Sequence, residues 1–290
     1  MQPLAIMTMV YDDDAYLSLW LRYWTRFLPR ENLFVVIHDR YEHYAAMVEG
    51  CNILRMYRPE PSPRFEMDRF AMLSGIVSGL THQFQRVMYT DVDEIVALDP
   101  AHGDNLVGAI LESAAPVVAP FGVDLVHVPD LEREPLDLTR PVLGQRSFFA
   151  VNSLYSKPCI TSGPISWSGG GHWSNREDVR VSRRLVLFHL RMFDFDLFAS
   201  RNAARHAMAR DEEGNNLMSN IGWGRLDPDG TFLATYTVGS EQPADNIITP
   251  RQARKMEALD APNRRGHRLR RWRHESRTVN RIPDRFVGLF

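Results

Sequence analysis

Cysteine is scarce in this sequence, and other features that define protein classes are missing. The 290 residues include only Cys51 and Cys159 and no Cys-x-x-Cys pair. A disulfide framework and a structural zinc site of that kind are therefore excluded. No run of about eighteen or more apolar residues occurs. The amino terminus lacks the positive start and the small-residue cleavage site of a signal peptide, so we expect a cytoplasmic protein.

Glycine-rich phosphate loops are also missing. The sequence contains neither Gly-x-Gly-x-x-Gly nor Gly-Lys-Ser/Thr, the two patterns that hold phosphates with backbone N–H groups. No internal repeat is visible. The hydrophobic content of 44% is what a packed globular core requires. A nucleotide-binding version of such a chain would need a metal ion to hold the phosphates.

Charge is distributed unevenly. The net charge is −2, but residues 251–290 hold twelve basic and four acidic residues, about +8, which leaves about −10 for residues 1–250. The favoured interpretation is that the basic tail packs against the acidic body. The alternative is an anionic partner, either a substrate or the inner face of a membrane to which the protein binds peripherally. Nucleic acid ranks last, because no recognised binding motif accompanies the charge.

The order of apolar segments predicts an α/β fold. Residues 4–10 form a buried strand, residues 15–27 have helical spacing, and residues 33–37 form a second strand. Two further short strands and two further helices follow before residue 91. Crossover helices make such strands parallel, and ligands bind beyond their carboxyl ends. We expect a mostly parallel central sheet flanked by helices.

An acidic cluster interrupts the apolar pattern at Asp91, Asp93 and Glu94. Burying carboxylates is costly unless they are paired or bind a metal, so the cluster suggests a cation site. In a β conformation Asp91 and Asp93 lie on the same side of the chain and can share one ion, with Glu94 turned away. The alternative is a solvated turn with an N-cap.

Asp91-Val92-Asp93-Glu94 at the end of a strand, about ninety residues after an apolar strand and an aromatic-rich helix, resembles the Asp-x-Asp element of GT-A glycosyltransferases. The family 2-like bacterial group is the most similar. The resemblance implies a single GT-A domain, with a nucleotide-binding half at residues 1–98, an acceptor half at 99–250 and the basic tail at 251–290. It implies that Mn²⁺ or Mg²⁺ on Asp91 and Asp93 holds the diphosphate of a nucleotide sugar.

Other site residues follow from the same resemblance. On the donor side it points to one acid within Tyr11–Asp14, where many members have Lys-Asn-Glu, with Asp13 as the candidate, and to Asp39 and Asp91. It also implies a basic residue in the helix before the acidic pair, which is Arg69 or, in its place, Arg64. The alternative interpretation of Arg64 and Arg69 is a solvated helix start. The resemblance also makes His189 the third metal ligand, although a histidine within an apolar run is more often a core residue. Imidazole with two carboxylates suits Mn²⁺.

The stretch from Ser166 to Trp173 is the second informative segment. Its glycines permit close approach of a ligand and its tryptophans offer faces on which a sugar can stack. Trp167, Gly170 and His172 are the candidate contacts. The alternative is a glycine-rich hairpin with both tryptophans in the core.

The leading hypothesis is transfer of a sugar to a hydroxyl of a glycan, a lipid-linked carbohydrate or a protein. An inverting reaction needs a carboxylate base, and the candidates are Asp124, Asp178, Asp194 and Asp196. A retaining reaction needs no such base. The alternatives are a metal-dependent nucleotidyltransferase or phosphohydrolase, disfavoured by the missing glycine-rich loop, and a sugar-binding module without catalysis.

Overall fold

A computed structural model describes residues 1–218, 235–260 and 275–290. Within these ranges the chain forms one sheet of eleven strands: β1 Gln2–Val10, β2 Leu33–His38, β3 Asn52–Met56, β4 Phe84–Tyr89, β5 Glu94–Leu98, β6 Val117–Val126, β7 Phe148–Val151, β8 Ile160–Thr161, β9 Val179–Met192, β10 Thr237–Pro243 and β11 Thr278–Arg281. The helices are α1 Asp14–Trp24, α2 Tyr41–Tyr44, α3 Phe65–Leu80, α4 Leu106–Leu111, α5 Phe195–Met208 and α6 Pro250–Asp260.

The predicted α/β class, with a central sheet flanked by helices, is confirmed. The strand order is β10-β11-β7-β6-β8-β4-β1-β2-β3, and β9 joins β6 to β5. All neighbours in the amino-terminal part, β3-β2-β1-β4, are parallel. The other part of the sheet contains both parallel and antiparallel pairs.

Strand β1 lies at the centre of the parallel part and has a nearly continuous apolar sequence. Its residues from Leu4 to Met7 are fully buried, as expected for a strand covered on both faces. Trp20 and Trp24 of helix α1 are also fully buried, and Trp20 Nε1 donates to the Thr90 hydroxyl at 3.1 Å. The carboxyl ends of β1, β2 and β4 therefore open at the same edge of the sheet, where ligands bind in open α/β folds.

Strand β9 positions the second half of the site because it runs between β5 and β6. His189 on β9 is paired with Glu94 of β5 in antiparallel register and with Asp124 of β6 in parallel register. A residue from the acidic cluster, a histidine and a second acid thus lie side by side across three neighbouring strands.

Strand β6 continues as ten buried residues up to Val126. Helix α3 begins at Phe65. The arginines of residues 261–274 in the basic tail lie outside the described residues. None of the helices within the described ranges is long and apolar enough to cross a membrane.

Candidate functional site

The acidic cluster occupies a turn between β4 and β5. The N–H of Glu94 donates to the carbonyl of Asp91 at 3.0 Å, which closes the turn. Extended geometry was predicted here, with Asp91 and Asp93 on one side and Glu94 on the other. That expectation is wrong, because the turn breaks the alternation of side chains. Asp91 and Glu94 instead share one cation, and Asp93 faces a different set of partners.

Lys157 is the cation that Asp91 and Glu94 share. Its Nζ lies 2.7 Å from Asp91 Oδ2 and 2.6 Å from Glu94 Oε1. The other oxygen of Asp91 accepts hydrogen bonds from the Tyr89 hydroxyl at 2.8 Å and from Arg69 at 3.2 Å. Arg69 in turn donates to Glu66 at 2.9 Å. Both oxygens of Asp91 are thus engaged by this chain's own donors.

The protonation states of this cluster follow from burial and from the two cations. Burial by itself raises the pKa of Asp91, but Lys157 and Arg69 outweigh it and hold that pKa well below its usual range. For Glu94 burial dominates over Lys157 and raises the pKa to about 7. Burial opposes the charge of Lys157, yet the two carboxylates raise its pKa. Asp91 and Lys157 therefore form a buried ion pair, and Glu94 titrates near neutrality.

Asp93 points to α5 rather than to Lys157. Its Oδ2 forms an ion pair with Nη1 of Arg201 and lies 3.7 Å from Nε2 of His189. Arg201 also reaches Asp13 after β1, with Nε 2.6 Å from Oδ1 and Nη2 2.8 Å from Oδ2. Burial would raise the pKa of Asp93, but Arg201 and then His189 lower it far below the ordinary value. Asp93 is a carboxylate at any physiological pH.

His189 is oriented by a buried carboxylate. Its Nδ1 lies 2.7 Å from Asp124 Oδ1, while the other oxygen of Asp124 accepts from Asn152 at 2.8 Å. The Tyr155 ring stacks on the imidazole, with centroids 3.7 Å apart. With Nδ1 directed at Asp124, Nε2 is turned towards Asp93. A carboxylate that fixes one imidazole nitrogen so that the other can bind is the usual arrangement of metal-binding histidines.

The Ser166–Trp173 stretch lies against α3. Trp167 is only 7% exposed, packs on Phe70 and Tyr89, and donates from Nε1 to the Pro158 carbonyl at 2.9 Å. It is a core residue here, as in the alternative interpretation, rather than an exposed stacking surface.

Gly170 and His172 belong to the same stretch, and each has its own local constraint. Gly170 has φ of +75°, a conformation that glycine adopts without strain. His172 Nδ1 lies 2.7 Å from the Leu154 carbonyl, and burial followed by Lys157 lowers its pKa to about 4. His172 is therefore neutral near pH 7.

The donor-side candidates lie at the carboxyl ends of β1 and β2. Asp39 has φ of +55°, and Asp12 beside Asp13 has φ of +54°, backbone conformations that are uncommon away from glycine and cluster at functional sites. Asp39 accepts from the N–H of Arg58 at 3.4 Å. Arg64, in contrast, is exposed and pairs with Asp68 at 3.0 Å across one helical turn.

The four carboxylates predicted as possible bases have different surroundings. Asp124 holds His189, as described above. Asp194 caps α5 by accepting from two backbone N–H groups and pairs with buried Arg146 at 2.8 Å. Asp178 pairs with Arg176, and Asp196 is exposed. The Asp124 side chain contacts another predicted site residue, His189.

The candidate ligands for a divalent ion are Asp93 and His189. Among the described residues, no group of three or more His, Cys, Asp or Glu side chains is arranged to hold a metal ion. Asp93 Oδ2 and His189 Nε2 lie 3.7 Å apart, with Asp124 behind the histidine, and carboxylate and imidazole are ligands that suit Mn²⁺, although Arg201 also contacts Asp93 Oδ2. Asp91 is occupied by Lys157 and Arg69. The three-ligand set of Asp91, Asp93 and His189 stays a prediction.

Lys157 and Arg201 are the main additions to the predicted site. Lys157 is one of only two lysines in a chain with 34 basic residues, and this rarity is a signal that sequence reasoning left unused. Arg201 lies on α5, and its pairing with Asp13 and Asp93 depends on how α5 docks. No periodicity encodes that contact.

The chain has weak similarity to solved structures. No family model matches the chain, and no curated protein matches its sequence. Among solved structures, a mannose-1-phosphate geranyltransferase from Thermus thermophilus is 14% identical, with 79% of this chain and 69% of that one covered and a TM-score of 0.31. S. aureus TarS 1-349 is 10% identical, with 73% and 68% covered and a TM-score of 0.35. Its complex with UDP-GlcNAc is 11% identical, with 73% and 69% covered and a TM-score of 0.35.

Proposed function

We propose that this chain is a GT-A-type glycosyltransferase, similar to the family 2-like bacterial group, that uses Mn²⁺ or Mg²⁺. It transfers a sugar from a nucleotide-diphosphate sugar to a hydroxyl of a glycan, a lipid-linked carbohydrate or a protein. The observation that carries the proposal is the pairing of Asp93 with His189 at 3.7 Å, with Asp124 behind the histidine, at the carboxyl edge of the sheet. Ligands of open α/β sheets bind at this edge.

In the proposed site Asp93 and His189 hold the divalent ion, and Asp91 lies beside them as a carboxylate fixed by Lys157. The bound ion supplies positive charge that neutralises the leaving diphosphate. Asp13 and Asp39, after β1 and β2, are proposed to contact the nucleoside, with Arg69 behind Asp91. Residues 1–98 thus provide the donor side, and residues 99–250 provide His189, Asp124 and the acceptor side.

The residues needed at the acceptor depend on whether the reaction inverts or retains the anomeric configuration. An inverting reaction requires one carboxylate as the base that takes the acceptor proton, and the proposed candidates are Asp124, Asp178, Asp194 and Asp196. Because Asp124 and Asp194 are engaged with His189 and Arg146, their use as bases requires these contacts to change. The anomeric configuration of the product distinguishes the inverting from the retaining reaction.

Thermal stability in the presence of UDP-, GDP-, dTDP- and CMP-sugars, with and without Mn²⁺, tests the proposal. A ligand at about a hundred times its Kd stabilises the folded state by roughly 2.7 kcal/mol. We expect one nucleotide class to stabilise the protein in a Mn²⁺-dependent way, and D93N and H189A to abolish that dependence. D104N, a change at an exposed aspartate before α4, is the matched control.

Stabilisation by every nucleotide sugar without Mn²⁺ dependence contradicts the metal part of the proposal. Stabilisation by nucleoside triphosphates alone assigns the site to a nucleotidyltransferase. Mn²⁺-dependent binding without turnover of any donor assigns it to a sugar-binding protein.

A further inference from the structure

We propose that Arg201 competes with the divalent ion for Asp93 and is exchanged for it when the ion binds. This inference rests on the proposed function, because it concerns the same ion. In the structure Nη1 of Arg201 contacts Oδ2 of Asp93, the same oxygen that faces Nε2 of His189 at 3.7 Å. The guanidinium thus contacts the carboxylate oxygen that an ion shared with His189 requires.

Simple electrostatics makes the two cations exclusive. A guanidinium nitrogen and a divalent ion on one buried oxygen repel each other at short distance, where little water screens the charges. Asp93 is only 5% exposed. Without an ion, Arg201 supplies the positive charge that an isolated buried carboxylate needs. With an ion present, that compensation is no longer required.

Asp13 provides an anchor that lets Arg201 leave Asp93 without moving far. Two nitrogens of the guanidinium, Nε and Nη2, contact the two oxygens of Asp13 at 2.6 and 2.8 Å. Only Nη1 is directed at Asp93. The Tyr16 ring lies under the guanidinium, 4.3 Å from its central carbon. These contacts hold Arg201 in place while its third nitrogen changes partner.

The exchange gives the released nitrogen a second use. Once the ion takes Asp93, Nη1 of Arg201 is a hydrogen-bond donor beside that ion, and charged donors of this kind bind phosphate oxygens well. Arg205, one turn further along α5, carries a second, half-buried guanidinium, whose pKa is lowered to about 10 by desolvation and by Arg201. Binding of the ion at Asp93 therefore makes Nη1 of Arg201 available to bind a diphosphate.

Binding of Mn²⁺ alone, followed by electron paramagnetic resonance of the free ion, tests the exchange. R201Q removes the competing charge, and we expect its Mn²⁺ affinity to rise about tenfold, the value of one charge-assisted hydrogen bond. D13N weakens the anchor and leaves the guanidinium to Asp93, so we expect a lower affinity than that of the wild type. R184Q, which removes an exposed arginine paired with Glu112, should bind Mn²⁺ as the wild type does.

Opposite changes in R201Q and D13N, with R184Q unchanged, are the result that the exchange predicts. An unchanged or reduced affinity in R201Q, with an intact circular dichroism spectrum, overturns the exchange while wild-type Mn²⁺ binding leaves the proposed function standing. Binding by R201Q but not by the wild type supports the exchange in its strongest form. If neither protein binds Mn²⁺, the metal part of the proposed function and the exchange both fail.

Discussion

Lys157 Nζ lies 2.7 Å from Asp91 Oδ2, and the lysine is buried. The same nitrogen contacts Glu94, so one lysine compensates two of the three acids in the cluster. This ion pair fixes Asp91 as an anion. Together with Arg201, which pairs with Asp93, it accounts for three carboxylates in a turn that is largely shielded from water.

Removing Lys157 should destabilise the fold strongly. In K157M, Asp91 and Glu94 lose a buried partner, and we expect the free energy of unfolding to fall by about 3–5 kcal/mol. Urea denaturation provides the measurement. K255M changes the chain's other lysine, which is exposed on α6, and should have an effect within about 0.5 kcal/mol. Adding E94Q to K157M should recover part of the loss, and a purely additive double variant would contradict the pairing.

Replacing Asp124 separates its two proposed roles. If Asp124 orients His189, D124N should weaken Mn²⁺ binding by about 10–100-fold. Calorimetric titration with Mn²⁺ measures this, with D104N as the control. If turnover is lost while the Mn²⁺ affinity stays at the wild-type value, Asp124 acts on the acceptor as the base, and the positioning role is excluded.

Gly122 packs against the backbone next to Tyr155, the residue whose ring stacks on His189. A Cβ atom at this position would lie 2.4 Å from the Tyr155 carbonyl carbon and 2.5 Å from the Ser156 nitrogen. Because both are backbone atoms, G122A should displace the turn that carries Tyr155 and destabilise the fold by about 1–3 kcal/mol. Urea denaturation measures the loss. G214A, at a glycine with no atom within 4 Å of its Cβ position but a positive φ, isolates the effect of backbone strain alone.

His38 should make stability depend on pH. Burial, followed by Arg69 and Arg58, lowers its pKa from 6.5 to about 4. The unfolded chain therefore binds the proton more readily than the folded one, so stability is lost as the pH falls from 6.5 towards 4. Between pH 7.5 and pH 5 the loss due to His38 is about 2 kcal/mol.

H38Q should remove this part of the pH dependence. The free energy of unfolding of the wild type and H38Q, measured in urea at both pH values, gives the difference. Glu94 acts with the opposite sign, because its raised pKa makes the folded state lose stability as the pH rises from 4.5 to about 7. It is present in both proteins and cancels in the comparison. An equal difference at pH 7.5 and pH 5 would show that His38 is not held neutral.

The sequence by itself determined the α/β class and the location of the acidic cluster. Apolar runs such as residues 4–10 predict buried parallel strands, because such strands are covered on both faces. Chain order then places the acids after β4, close to the ends of β1 and β2. These inferences depend on local patterns, which a sequence carries directly.

Only the tertiary structure decided which side chains meet. Lys157 reaches Asp91 across 66 positions, and Arg201 reaches Asp93 across 108. His189 meets Asp124 because β9 pairs with β6 in that register. Trp167 lies in the core because α3 covers it with Phe70. Such contacts depend on strand register and helix docking. A periodic sequence pattern indicates on which face of a strand or helix a residue lies, but it does not indicate which residue of another element it contacts.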